Sequence, residues 1–118
     1  MHLIIDGYAS DTKKIQDIEF IYHFLDAYPR QIGMTKVATP QVSKYESPET
    51  QERGISGFVL LAESHISIHV LPERSYINID VFSCNEFESD QVVGTLQQQL
   101  GLTDVKSYIL NRPQPNGE

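Results

Sequence analysis

Three strand-like runs stand almost end to end in the middle of the chain, Gly57 to Ala62, Ser64 to Val70 and Tyr76 to Phe82. All three carry β-branched and aromatic residues. In the second, Ile66, Ile68 and Val70 face one way and His65, Ser67 and His69 the other; in the third, Ile77, Ile79 and Val81 oppose Asn78 and Asp80. A run with one apolar side needs a second layer to cover it. Two helical patterns can supply that layer. Ile15, Ile18, Ile21, Tyr22, Leu25 and Tyr28 recur at three- and four-residue spacing behind Asp11, a good N-cap, and Pro29 should end or kink that helix. Asn85 to Leu100 places Val92, Val93, Leu96 and Leu100 inward, with Gly101 just past the end. His2 to Tyr8 and Val105 to Leu110 read as flanking strands, Met34 to Tyr45 as an extended segment, and Glu46 to Arg53 as a polar loop. Pro72 to Ser75 is turn-like, and the residues after Leu110 form a loose tail. The expected fold is α+β, a two-layer sandwich: two helices on one face of a largely antiparallel sheet, with residues 1–118 forming a single domain.

At 118 residues the chain has room for one core. A domain of this size buries only about 60–70% of its unfolded surface, so pairing with a second copy would add stability. The formal charge of −7 argues against nucleic acid, which asks for a clustered basic face. A small cationic ligand suits that field better. The opening Met1-His2-Leu3-Ile4-Ile5-Asp6 has no basic region followed by a long apolar one. The longest apolar run, Phe58 to Ala62, falls far short of the roughly 18–20 residues of a membrane span. A cytoplasmic protein is expected. One cysteine, Cys84, leaves no intramolecular disulfide.

Neither a glycine-rich phosphate loop nor a Gly-x-Ser-x-Gly elbow occurs. His65 and His69 have the spacing of a helical metal pair, but on a strand they lie about 13 Å apart, too far to share one ion. No metal site is expected. Self-cleavage asks for a different set. Ser64 follows Glu63 at the junction of two strand-like runs, where a tight turn can strain the peptide. The serine hydroxyl would attack the Glu63 carbonyl and convert the amide to an ester. Loss of the serine α-proton would then expel the Glu63 carboxylate and leave dehydroalanine, which hydrolyses to a pyruvoyl group and ammonia. That chemistry needs a base and donors for an oxyanion. His69 and Ser56 become candidates once neighbouring strands pair. By themselves these residues fit an ordinary strand better than a processing site, and Cys84 fits a small buried hydrophobe better than a reactive thiol.

Gly54-Ile55-Ser56-Gly57, Leu61-Ala62-Glu63-Ser64-His65-Ile66-Ser67-Ile68-His69, Pro72-Glu73 and Asp80-Val81-Phe82-Ser83-Cys84 together resemble the small prokaryotic S-adenosylmethionine decarboxylases, which form a pyruvoyl cofactor from an internal serine. The resemblance runs from Gly54 to Cys84 and more loosely through the opening His2-Leu3 and the order of elements. It implies that Ser64 is the pyruvoyl precursor, with cleavage between Glu63 and Ser64 into chains 1–63 and 64–118. It further implies that His69 takes the proton in self-cleavage, Ser56 helps it, and Cys84 donates a proton in catalysis. Glu73 would bind the substrate's ribose. The pyruvoyl ketone would take the substrate amine and draw electrons as carbon dioxide leaves, as pyridoxal phosphate does elsewhere. The product would supply aminopropyl groups for polyamine synthesis, and a homodimer is expected.

Two departures fall where the family binds the adenosyl group. Val70-Leu71-Pro72-Glu73 stands where Thr-Trp-Pro-Glu is common, so Leu71 occupies a substrate-side aromatic position. No aromatic residue lies among Pro48 to Arg53, and Tyr45 is the nearest candidate to stack on adenine. Each lost aromatic contact removes about 0.5–2 kcal/mol. Two other readings therefore stay open: a pyruvoyl decarboxylase of ornithine or arginine that reads a cationic end with Asp6, Glu73 or Asp80, and an uncleaved, non-catalytic paralogue that binds a partner.

Overall fold

The computed structural model describes residues 1–113; the end of the expected tail, residues 114–118, lies outside the described residues. The elements run β1 (His2–Ala9), α1 (Thr12–Ile15), α2 (Ile18–Gln31), β2 (Gln41–Glu46), β3 (Arg53–Leu61), β4 (Ser64–Leu71), β5 (Tyr76–Ser83), α3 (Ser89–Leu100) and β6 (Leu102–Leu110), with a 3₁₀ turn at Pro72–Arg74. The six strands form one sheet in the order β2-β3-β4-β5-β1-β6, and every neighbouring pair is antiparallel. The expected α+β sandwich is what forms.

Alternation decides which side is covered. Leu3 and Ile5 on β1, Ile66, Ile68 and Val70 on β4, and Ile77, Ile79 and Val81 on β5 are buried beneath the helices. They meet Ile21, Leu25 and Tyr28 of α2 and Val92, Leu96 and Leu100 of α3 in one core. Each fully buried Leu or Ile contributes about 1.5–3 kcal/mol over its exposed state. Tyr28 ties the helices together: its hydroxyl lies 2.7 Å from Thr95 Oγ1 and 3.2 Å from the Val92 carbonyl oxygen. Burial raises its pKa to about 12, against the lowering effect of the Thr95 hydrogen bond. On the opposite side of the sheet no element of the described residues lies over the strands. Tyr8, Phe58, Leu60, Tyr108 and Leu110 are exposed on that face.

Several boundaries differ from the sequence expectations. The first helical pattern is two helices, because Asp17 breaks it: its carboxylate accepts the Glu19 N–H at 3.0 Å and caps α2, as Asp11 caps α1. Pro29 neither ends nor starts α2. It sits in the last turn, gives up the one N–H that would reach back to the Leu25 carbonyl, and the helix runs on to Gln31. α3 begins at Ser89, four residues later than expected; before it the Asn85 N–H meets the Ser83 hydroxyl at 3.1 Å in a turn that does not continue as helix. β3 starts at Arg53, inside the expected loop and connector, and β6 starts at Leu102 directly after Gly101, whose φ of +63° lets α3 turn sharply into it. The Met34 to Tyr45 segment becomes strand only from Gln41; its first part instead lies along the end of β3, with Val37 N–H to the Leu60 carbonyl at 3.1 Å and Ala62 N–H to the Thr35 carbonyl at 2.8 Å.

Candidate active site

The hairpin between β3 and β4 has only two residues outside the ladder, Ala62 and Glu63, since Leu61 pairs with Ser64. Its positive φ falls on Glu63, at +58°. A tight turn ordinarily places glycine or asparagine at such a position, and for a residue with a Cβ the left-handed conformation costs about 1–2 kcal/mol. The strain lies at the residue whose carbonyl a self-cleaving serine would attack. That carbonyl oxygen accepts the Cys84 N–H at 3.0 Å, so a donor already sits where an oxyanion would form. Ser64 Oγ donates to the Ala62 carbonyl at 3.2 Å. Glu63, Ser64 and Cys84, far apart in sequence, thus meet at one end of the sheet because β4 and β5 pair in register, Ser64 opposite Ser83.

Ser56 and His69 form a second group. They are register partners on β3 and β4, and Ser56 Oγ lies 2.8 Å from His69 Nδ1 on the uncovered face. The structure brings these two together and does not bring them to Ser64. Five steps along β4 separate Ser64 from His69, about 16 Å at the usual rise, and their alternation sends the side chains to opposite faces. His65 and His69, the spacing that mimics a metal pair, have different company: His65 lies against Phe82, with ring centroids 5.3 Å apart. Burial, aided by His2 and Arg112 and opposed by Asp80, lowers the His65 pKa.

Glu73 lies near the His69 end, on the 3₁₀ turn after β4. Its Oε1 accepts from Arg53 Nε at 3.1 Å and from the Arg53 N–H at 3.3 Å, and these hydrogen bonds hold its carboxyl below the ordinary carboxylate range. Arg53 and Pro72 also line a cleft of about 580 Å³ with Tyr45, Gly54, Ile55 and Lys44, a volume within the range of small-molecule sites. Tyr45 is half exposed, and its ring lies over Gly54: a Cβ there would come within 2.4 Å of Tyr45 Cζ. Gly57 has an equally specific reason, since a Cβ would meet Leu25 Cδ1 and Val42 Cγ2 at 3.0 Å. The Gly-x-Ser-Gly segment therefore combines two close approaches with the serine that meets His69. Leu71, partly buried at the end of β4, presents no aromatic ring. Sequence reasoning missed Arg53 and the Cys84 N–H; the first left no pattern, and the second is a backbone group that only the register reveals.

The chain matches the S-adenosylmethionine decarboxylase family over residues 1–113. A relative from Clostridium botulinum (strain Langeland), named S-adenosylmethionine decarboxylase proenzyme, is 33% identical over 100 residues, covering 84% of this chain and 81% of its own. Proteins of the same name from Aquifex aeolicus and Thermoplasma volcanium are 37% identical over 86 residues and 29% identical over 119 residues. The first of these alignments covers 73% of this chain and 59% of the relative, the second 100% and 87%. A match that takes in both groups of residues, reached from the sheet register and from the family alike, has one reading: this chain belongs to the S-adenosylmethionine decarboxylase family.

Proposed function

We propose that the chain is a proenzyme that cuts itself between Glu63 and Ser64, yielding chains 1–63 and 64–118, and then decarboxylates S-adenosylmethionine for polyamine synthesis. The observation that carries this reading is the Glu63 turn, a strained residue whose carbonyl already accepts the Cys84 N–H. Attack by Ser64 Oγ relieves that strain while the Cys84 N–H holds the developing oxyanion. With its proton on Nδ1, His69 donates to Ser56 Oγ and keeps the Nε2 lone pair free to take the α-proton of residue 64. The pyruvoyl group so formed supplies a ketone for the substrate amine and an electron sink for decarboxylation. Cys84, next to residue 64 across the strands and partly exposed, gives a proton to the substrate carbon. Glu73, kept ionised by Arg53, accepts from the ribose hydroxyls, and Tyr45 offers the adenine a flat surface in the cleft beside it.

Since His69 lies about 16 Å along the strand from Ser64, we infer that a second copy supplies it. Two uncovered sheet faces stacked in opposite directions bury Tyr8, Phe58, Leu60, Tyr108 and Leu110 and set the Ser56–His69 end of one chain over the end of the sheet that carries Ser64 and Cys84 in the other; since Ser64 shares the covered side of β4 with Ile66, the partner's imidazole would reach its α-carbon around that end rather than across the face. The site is then shared across a homodimer. No feature of the cleft favours ornithine or arginine over S-adenosylmethionine, and the family match weighs for the latter.

Intact-protein mass spectrometry with and without cyanoborohydride and S-adenosylmethionine tests the proposal. Two fragments divided at Glu63-Ser64, the second carrying a reduced substrate adduct, are expected. A single unmodified chain under all conditions would overturn it and leave the non-catalytic paralogue.

A further inference from the structure

Ser83 is the last residue of β5 and, Tyr28 apart, the one polar residue that the core of the described chain takes in, at 6% exposed. Its backbone is fixed on both sides. It stands opposite Ser64 on β4, and its N–H donates to the Met1 carbonyl at 2.9 Å. Its hydroxyl oxygen accepts the Asn85 N–H at 3.1 Å, which closes a small turn around Cys84. Within that turn lies the amide that matters: the Cys84 N–H reaches the Glu63 carbonyl oxygen at 3.0 Å. Fixing residues 83 and 85 fixes the direction of the N–H between them.

We propose that Ser83 is a positioning residue for self-cleavage, its hydroxyl bracing the turn so that the Cys84 N–H stays on the Glu63 oxygen as charge builds there. The proposal rests on the self-cleavage reading given above. In the acyl shift Ser64 Oγ bonds to the Glu63 carbonyl carbon and the carbonyl π pair moves to oxygen. As the C–N bond breaks, the Oγ proton passes to the Ser64 nitrogen, leaving an ester and a free amine. A donor held on that oxygen is worth more to the charged intermediate than to the amide, so freedom in the turn slows this step selectively. The brace acts before the ester exists; His69 acts after it.

The test follows cleavage of freshly synthesised wild-type, Ser83→Ala, Ser83→Thr and His69→Ala precursors by intact mass, at a temperature where thermal unfolding shows all four folded, with hydroxylamine added to parallel samples to cut any accumulated ester. Ser83→Ala should slow cleavage about tenfold, against the roughly 100-fold or greater loss expected when an oxyanion donor is removed outright. Ser83→Thr should restore the rate. Hydroxylamine should cut the His69→Ala precursor and leave the Ser83→Ala precursor intact. Cleavage of Ser83→Ala at the wild-type rate overturns the proposal. So does an ester that accumulates in Ser83→Ala, which would put the fault after the acyl shift, or slowing shared equally by Thr, which would assign it to packing. A wild-type chain that never cuts removes the reaction itself, and the brace with it.

Discussion

Glu63, Ser64 and Cys84 each carry a separable expectation. Ser64→Ala should leave a folded, uncut and inactive chain, read by mass and by release of carbon dioxide; decarboxylation by that variant would rule out the pyruvoyl route. Cys84→Ala keeps the backbone N–H on the Glu63 oxygen and removes only the thiol, so cleavage should proceed while turnover falls by about 100-fold, the scale of a lost general acid. Unchanged turnover would take the proton donation away from Cys84. His65 carries a prediction about pH. Burial and His2 hold its imidazole below the ordinary value of 6.5, with Asp80 opposing and Arg112 adding to the shift. A depressed histidine favours the fold in its neutral form: the stabilisation is fully present above the unfolded value and is lost as pH falls through it toward the lowered folded value. The thermal midpoint should therefore drop between roughly pH 7 and pH 5, and His65→Gln should flatten the drop. Equal slopes in calorimetry would show that another group titrates. At this scale Ser64, His69, Cys84 and Glu73 enter as candidates through the motifs that carry the family resemblance, and their roles await the variants above. Ser83 does not, because its role depends on an Asn85 N–H that the sequence assigns to a helix.

The elements show which physical signals survive in a bare sequence. β4 and β5 were legible because each alternates cleanly and is buried on one side. The break between α1 and α2 was not, because Ile15 and Ile18 keep the apolar spacing through it and only the Asp17 cap reveals two helices. Asp17→Ala should cost about 1 kcal/mol in urea unfolding; no change would mean that packing of Ile18 and Ile21 alone sets the start of α2. The start of β3 was hidden for another reason. Gly54 and Gly57 weaken its strand signal, yet each is there to admit a neighbour. Gly57→Ala pushes on Leu25 and Val42 together and should cost about 1–3 kcal/mol. A smaller cost would show that α2 can shift away from the sheet without loss.

Across the whole molecule, the open sheet face bears on how the proposed site would be assembled. Co-expression of Ser64→Ala and His69→Ala chains separates the alternatives: if His69 acts on the other copy, the His69→Ala chain, with its intact Ser64, is cut in the mixture and uncut alone. No cutting in a mixture shown to be a mixed dimer would place His69 within its own chain and require a large rearrangement of β4. Sharing of this kind was beyond sequence reasoning, which gives spacing along the chain but not the face or the end of the sheet on which a residue stands. The strand order has a consequence for the two products that the proposed cut would leave. Residues 1–63 supply β2, β3 and β1, and residues 64–118 supply β4, β5 and β6; in the sheet they run as a pair, a pair, then one and one. β1 of the first fragment is clasped between β5 and β6 of the second. The fragments would be interlocked. Separating them means unzipping three ladders, and rebuilding them after denaturation becomes a meeting of two molecules whose yield depends on concentration. The uncut chain can find this fold as one molecule, so the proposed cut would work as a ratchet, leaving an assembly that holds together well but does not readily re-form.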